Sequence, residues 1–507
     1  MRASDHLPER FNAAAWFVGR HVAEGRGDRV ALSGDEGTTT YAELDLKVRR
    51  FAGALHEAGV HRGERVALIL HDGALLSSTF WGTIALGAVV VPVNTLLTPA
   101  EHRAILEDCG ARLVVVDPAI SDREEVVPEG VEAWTAEAAR ARQEQAAPQA
   151  EYADTHRDGF CFFLYSSGTT GKPKGVVHLQ HDMWVCCETY GRTVLKIQPD
   201  DRCFSMAKLF FAYGLGNSQY FPFHVGASAV LFAGRPKPAA CFEQVARYRP
   251  TLFFGVPTGF ANMLAAMDQG AEADFSSVRM CASAGEALPS SLFERWKERT
   301  GTSILDGIGS TELCHIFLSN KPGDIRPGAS GTPVAGYDLR LLDDTGADVA
   351  RGEMGNLLVR GDSTMALYWQ KHEETKHALR GEWIRTGDRY VQDEDGYWYH
   401  AGRSDDMIKV GGIWVSPVEV EGVIIAHPRI LEAAVVGHTD ADGLVKPHAY
   451  VTLTPGAEAD GIEDDLLAYC RERLARHKVP WTVTVLSELP KTATGKIRRF
   501  VLRGATG

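Results

Sequence analysis

Residues 165–175 read Tyr-Ser-Ser-Gly-Thr-Thr-Gly-Lys-Pro-Lys-Gly and follow the apolar run Cys161–Tyr165. No other stretch of the chain constrains it as strongly. Glycine lets the backbone turn its N–H groups toward an anion. The hydroxyls of Ser166, Ser167, Thr169 and Thr170 add donors, and Lys172 and Lys174 add charge. A loop so built, directly after a buried strand, is a polyphosphate cradle. It is not the common P-loop, which has four residues between its glycines and a Ser or Thr after the lysine. Here two residues separate Gly168 from Gly171, and Pro173 follows Lys172. The plainer alternative, a Gly/Ser surface turn, rarely gathers so many donors in that position.

The surrounding pattern is α/β. Thr40-Tyr-Ala-Glu43 is a capping box opening a helix with the stripe Leu44, Val48, Phe51, Leu55. Val66–Leu70 reads as strand, Gly73–Leu86 as helix and Ala88–Val93 as buried strand. Thr98-Pro99-Ala-Glu101 caps another helix, and Leu113–Val116 is strand again. Such a rhythm predicts largely parallel sheets. The Ala/Gln/Arg/Glu-rich segment Ala136–Gln149 reads as a solvated helix or excursion. From Thr332 the texture shifts to short strands separated by turns at Asp343–Gly346 and Asp393–Gly396. Beyond Gly402–Asp406 it shifts again: Ser416-Pro-Val-Glu419 caps a helix, and Ala433–Val436, Ala449–Leu453, Asp464–Ala475 and Thr482–Leu486 alternate as a small α+β unit.

Composition narrows the function. A chain of 507 residues exceeds one core, so two or more domains are expected. A net charge of −13 argues against a nucleic-acid partner, so basic residues that bind phosphate must be local exceptions. Nine cysteines, with no C-x-x-C pair, suit neither a disulfide framework nor a zinc site and predict reduced thiols in a cytoplasm. The N-terminus has no apolar signal core. The longest apolar stretch, Phe80–Val93, is interrupted by Gly82, Gly87 and Pro92, so no membrane span is expected.

Four further constellations carry chemistry. Gly309-Ser-Thr-Glu312 alone reads as a helix N-terminus; beside a polyphosphate loop, Glu312 becomes a candidate magnesium ligand, since magnesium on a nucleotide needs one or two carboxylates. Arg385-Thr-Gly-Asp388 with Gly402-Arg403 is either a structural turn with a surface salt bridge or a grip on a ribose diol. Asp405-Asp-Met-Ile-Lys-Val-Gly-Gly-Ile-Trp414 is either a plain hairpin or a domain hinge beside backbone that a ligand approaches closely. Pro490-Lys-Thr-Ala-Thr-Gly-Lys-Ile-Arg-Arg499 alone reads as a solvated basic tail.

Together these motifs resemble the adenylate-forming superfamily of acyl-CoA synthetases, non-ribosomal adenylation domains and luciferases. They occur in family order and span essentially the whole chain. The resemblance implies a large N-terminal domain of packed α/β sheets with a barrel-like subdomain (residues 1–404). A small mobile α+β C-terminal domain (405–507) follows, joined at Asp405. It implies ATP polyphosphate against Ser166, Ser167, Gly168, Thr169, Thr170, Gly171 and Lys174, with Thr311 near the phosphate. Magnesium would lie near Glu312, and the ribose between Asp388 and Arg403. Ala284, Gly285 and Glu286, with Asp306, Gly307 and Ile308, would line the nucleotide base. Lys496 matches the lysine that bridges carboxylate and α-phosphate. Asp405, Lys409, Gly411, Gly412 and Trp414 match the hinge and thiol channel, and a hinge there could exchange Lys496 for the Gly411–Gly412 turn. One departure concerns Ile308: many relatives carry tyrosine there, so adenine stacking must come from elsewhere.

Lys208–Asn217 and Ile308–Asn320 resemble the benzoate–CoA ligase branch. Phe211, Ala212, Tyr213 and Gly214 would face the acid's ring, with Ile308 and His315 opposite, a wall suited to a flat aromatic. His315 alone would as readily be a structural histidine. Salicylate-activating relatives carry Asn where this chain has Phe211-Ala212, which argues against an obligatory ortho-hydroxyl. The expectation is an aryl acid–CoA ligase using ATP, Mg2+ and CoA and acting in aromatic acid metabolism. The chief alternative passes the acyl group to the pantetheine arm of a carrier protein. A non-catalytic nucleotide binder and an ADP-forming phosphotransferase are the rivals from other classes. Neither a nucleic acid nor a membrane is an expected partner, and a homodimer is compatible with the sequence.

Overall fold

The computed structural model describes residues 3–167, 173–410, 413–439, 444–491 and 497–504. Two large α/β sheets build the N-terminal part. One has nine strands in the order Thr332–Pro333, Ile316–Ser319, Ile304–Gly309, Met280–Ser283, Leu252–Gly255, Arg202–Ser205, Ser228–Leu231, Val30–Gly34 and Gly37–Thr40. Its middle pairs are parallel, and its two ends turn antiparallel. The other has seven, ordered Leu367–Tyr368, Pro173–Leu179, Phe160–Ser167, Val89–Pro92, Arg65–Ile69, Ala111–Val116 and Glu132–Thr135. A five-stranded antiparallel sheet, Asp338–Leu342 through Trp398–Arg403, forms the half-barrel. The C-terminal domain is the α+β unit expected: strands Ile430–Thr439, Val445–Leu453 and Thr482–Val485, with helices Pro417–Ile425 and Ile462–Arg473. It keeps its own core around Val420, Ile424, Val435, Val451 and Leu466.

Local sequence explains these elements. Thr40 and Thr98 both close full capping boxes, each with the glutamate three residues on. The stripe Leu44, Val48, Phe51 and Leu55 is wholly buried. The helix Ala74–Ala85 is buried nearly all round, and its hydroxyls at Ser78, Thr79 and Thr83 are satisfied by carbonyls of the preceding turn. The parallel strands are apolar on both faces because helices cover both. No helix among the described residues is long and apolar enough to cross a membrane. All nine cysteines are buried and unpaired.

The segment after Ala136 forms a helix, Ala136–Gln145, whose outer face is exposed as expected while Ala136, Ala139 and Gln143 pack inward, the helix lying against Tyr41–Glu57. Gln143 is buried because its amide donates to the Lys47 carbonyl at 3.0 Å and to Ser78 Oγ at 3.0 Å. A polar residue supplied with partners costs little to bury.

Candidate active site

The strand Phe160–Ser167 and its antiparallel return Pro173–Leu179 bracket the glycine-rich loop, with Ser166 opposite Lys174. The Ser167 side chain and Gly168, Thr169, Thr170 and Gly171 lie outside the described residues, as do Gly411, Gly412 and Lys496. The Lys174 ammonium sits 5.3 Å from the centre of the Tyr368 ring. The same tyrosine donates its hydroxyl to Glu312 Oε1 at 2.8 Å. Glu312 lies on a three-residue 3-10 turn, Thr311–Leu313, so the helix suggested by Gly-Ser-Thr-Glu is only that turn. Its backbone carbonyl accepts from Met365 N at 2.8 Å. Glu312 is therefore held by its carboxylate and by its backbone carbonyl, beside the lysine that leaves the loop.

Asp388 and Arg403 face each other across paired strands. Arg403 Nη1 donates to Asp388 Oδ1 at 3.3 Å and to the Thr386 carbonyl at 3.1 Å. Asp388 is buried, whereas the guanidinium is partly open to solvent. Burial pulls the Arg403 pKa down, but Asp388, Glu312 and Asp405 together raise it above its ordinary value. That balance brings into one neighbourhood three residues sequence reasoning assigned to separate jobs. Gly387 has φ +78°, and a Cβ there would lie 2.8 Å from Arg403 Nη2. A side chain would displace the guanidinium, which explains a glycine between Thr386 and Asp388.

The base-lining candidates sit at the carboxyl ends of parallel strands, where open α/β sheets bind ligands. Ser283 pairs with Asp306 across two of them. Asp306 is buried, and burial drives its carboxyl well above the usual range despite N–H groups of Leu288 and Gly307 and the Ser283 hydroxyl. Gly285 has φ +96°, and Glu286 Oε2 accepts from Thr258 Oγ1 at 2.9 Å.

Of the aryl-facing candidates, Tyr213 and His315 share one buried aromatic cluster, while Phe211 packs against Phe210 at 4.5 Å between ring centres. A short helix, Ala212–Leu215, starts after Phe211. A Cβ on Gly214 would lie 2.1 Å from the Lys208 carbonyl oxygen and 2.4 Å from that of Ala207, so only glycine fits. Tyr213 donates to the Ala282 carbonyl at 3.0 Å, one residue before Ser283. His315 is almost fully buried, packed among Tyr190, Tyr213, Tyr220 and Phe221, with Nε2 3.3 Å from the Tyr213 carbonyl. Burial lowers its pKa to about 3, so the ring is neutral near pH 7. Ile308 is half-buried on the strand leading to Gly309. Glu312 and His315, three residues apart, thus join the carboxylate cluster to the aromatic cluster.

Asp405 and Lys409 are exposed, and the hairpin Ile408–Val410/Ile413–Val415 is antiparallel as read. Trp414 stacks under Arg389, whose Cζ is 5.0 Å from the ring centre, and Lys409 Nζ lies 5.3 Å from it.

The family described as "AMP-binding enzyme" matches residues 19–369, and the "AMP-binding enzyme C-terminal domain" matches 419–496. The chain belongs to the AMP-binding enzyme family. It is 46% identical to a benzoate–CoA ligase of Thauera aromatica, over 98% of this chain and 97% of that one. It is 41% identical to a 4-hydroxybenzoate–CoA/benzoate–CoA ligase of Rhodopseudomonas palustris, over 98% and 94%. Among solved structures, an anthranilate–CoA ligase in complex with anthranoyl-AMP superposes with a TM-score of 0.95 at 42% identity, covering 100% of this chain and 99% of that one. A benzoate–CoA ligase from Burkholderia xenovorans gives 0.92 at 43% identity, covering 97% and 100%. For this AMP-binding enzyme, sequence reasoning missed Tyr368, which lies 56 residues from the Glu312 it holds. No local pattern connects the two; a Tyr among Leu367–Trp369 reads as ordinary strand.

Proposed function

We propose that this AMP-binding enzyme is an aryl carboxylate–CoA ligase, with benzoate the favoured acid. It couples the acid to CoA through an aryl-adenylate and releases pyrophosphate and then AMP. The observation that carries the reading is the course of Ile308–His315. Its His315 end packs among aromatic rings, and three residues earlier Glu312 lies beside Arg403, which pairs with Asp388. A flat acid beside those rings would present its carboxylate toward a nucleotide held at the carboxylate cluster.

The residues divide the work. Ser166–Lys174 would cradle the β- and γ-phosphates, while Asp388 would take the ribose hydroxyls, with Arg403 keeping that carboxylate in place. Ala284–Glu286 and Asp306–Ile308 would line the base. The donor set suits magnesium arriving on the nucleotide, because Glu312 offers a hard oxygen ligand already oriented by Tyr368. Bound there, the ion would neutralise phosphate charge. The acid's carboxylate oxygen attacks the α-phosphorus, and pyrophosphate leaves. Lys496 would supply the cation that offsets repulsion between the two anions. A thiolate then attacks the acyl carbonyl and AMP leaves, so no protein nucleophile is needed. Consistent with that, burial raises the pKa of eight of the nine cysteines. Asp405 is the proposed pivot between half-reactions, with residues 405–507 as the moving domain and Lys409 and Trp414 beside the thiol channel.

Pyrophosphate release over a panel of aryl acids, with CoA, an aryl carrier protein or neither as acceptor, tests the reading. Benzoate with CoA is expected to give the highest kcat/KM, with AMP as the nucleotide product. ADP formation, or turnover confined to the carrier protein, overturns it.

A further inference from the structure

The strand that leaves the phosphate loop ends in a buried polar pair that reaches the opposite sheet. His178 on Pro173–Leu179 and Asp182 on the helix Asp182–Cys186 have fully buried side chains. His178 Nδ1 lies 2.6 Å from Asp182 Oδ2, and His178 Nε2 lies 2.7 Å from the Thr311 carbonyl oxygen. A carbonyl can only accept, so Nε2 carries a hydrogen. A further proton is shared between Nδ1 and the carboxylate, whose Oδ2 also accepts from Leu179 N at 3.0 Å. Phe162 stacks on the imidazole at 4.9 Å between centres and fixes its plane. On the far side of Asp182, His181 Nε2 is 3.2 Å from Oδ1.

The Thr311 carbonyl stands at the start of a strained segment. Thr311–Leu313 is a single turn, and Cys314 after it has φ +66° and ψ −40°, with His315 N bonded to the Leu313 carbonyl at 2.8 Å. A non-glycine residue in that region is strained and persists only when its surroundings over-determine it. They do: Ser363 Oγ donates to the Leu313 carbonyl at 2.8 Å and the Tyr220 hydroxyl to that of Cys314 at 3.3 Å. The contact from His178 is the one that comes from the strand continuous with the phosphate loop.

We propose that His178 and Asp182 are a positioning pair that locks the Thr311–Glu312 turn against the phosphate-loop strand, setting the distance between the two halves of the nucleotide site. The proposal rests on the reading of those halves as the nucleotide site. A backbone carbonyl anchored by the N–H of a buried imidazole that a carboxylate backs holds its turn more firmly than a solvated one.

Asparagine places an amide where Nδ1 was, and glutamine places one where Nε2 was. His178→Asn should therefore keep the Asp182 contact and lose Thr311, and His178→Gln should do the reverse. In pyrophosphate release with benzoate, His178→Asn is expected to raise KM for MgATP about tenfold, the size of one lost charge-assisted bond. The KM for benzoate and transfer from supplied benzoyl-AMP to CoA should stay near wild type. His178→Gln should recover KM for MgATP to within about threefold of wild type. A purely structural role predicts that both variants lose Tm alike with no split between MgATP and benzoate, and that result overturns the proposal. Asp182→Asn, whose amide can donate to Nδ1 and leave Nε2–H on Thr311, is the second variant. A rise of at most about threefold supports the donor role, and about tenfold overturns it. Thermal stabilisation by MgATP alone, measured on all four proteins, is independent of the acid: a wild type stabilised by MgATP yet inactive on benzoate sinks the substrate reading and leaves this one standing.

Discussion

The turn at Thr311–His315 and the hairpin at Asp405–Trp414 both border the proposed nucleotide site, yet they are built oppositely. Each backbone step of the first is tied inward: Thr311 to His178, Glu312 to Tyr368 and Met365, Leu313 to Ser363, Cys314 to Tyr220. The second buries Met407 and Ile408 but presents an exposed, charged outer face. Asp405, Lys409, Ile413 and Trp414 are exposed, Asp406 pairs with Arg499 and Arg503, and Trp414 rests under Arg389. Buried bonds resist rearrangement because a broken one leaves an unsatisfied group, whereas exposed ion pairs are worth little and can be exchanged. The contrast fits an enzyme that fixes one wall of its site and replaces the other between steps.

The largest test of that division is Lys496→Ala. If the lysine serves only the arrangement used for adenylation, the activation free energy for acyl-AMP formation should rise by about 3 kcal/mol, slowing it more than a hundredfold. Thioester formation from supplied benzoyl-AMP should survive. Equal losses in the two assays would erase the distinction between a fixed and an exchanged wall.

Asp405→Pro comes next. Proline holds φ near −65°, so a pivot there could no longer swing. Adenylation should persist and transfer to CoA should drop by at least about tenfold, as expected when a gating motion becomes limiting. Wild-type transfer by this variant would move the pivot elsewhere.

Legibility in the sequence divides along the same line. The loop-bearing strand, both capping boxes and the Ser416 cap are written in adjacent residues, and local chemistry decides them; Arg385–Asp388, which reads as a turn, instead lies within the strand Trp383–Gln392. The inward ties of the fixed turn are not. Tyr368 and Glu312 are 56 positions apart, and His178 and Thr311 are 133. Their meeting depends on how two sheets pack, which periodicity does not encode. The burial of Gln143 is hidden for a related reason: nothing local shows its distant carbonyl partner at Lys47. His315 was ambiguous because its environment, four aromatic rings from three segments, is tertiary.

Ala212→Leu probes the fixed wall at its aryl end. Extra bulk in a packed site costs about 1–3 kcal/mol. If Ala212 faces the acid, KM for benzoate should rise, and more for ring-substituted acids, while KM for ATP holds. A lowered Tm with an unchanged ranking of acids would place Ala212 behind the aryl pocket and leave Ile308 and His315 as its lining.

The smallest effect is the most direct reading of the exchanged wall. Arg389 belongs to the strand Trp383–Gln392, and its guanidinium is held by Asp344 Oδ1 at 2.6 Å. Trp414 belongs to the hairpin beyond the proposed pivot, so their stack joins the two sides of the hinge. At a partly exposed site such a contact contributes about 0.5–1 kcal/mol. Trp414→Ala should remove that bias and change the ratio of the two arrangements by about two- to fivefold. The half-reaction served by the stacked arrangement should slow and the other should quicken, because loss of one population is gain of the other. Single-turnover adenylation and single-turnover transfer from benzoyl-AMP, measured on the same preparation, give the two rates separately. Opposed changes identify the stack as a latch on one arrangement. A parallel fall in both rates would mean instead that Trp414 supports the thiol channel itself, and the difference between the tied turn and the hairpin would then concern packing alone.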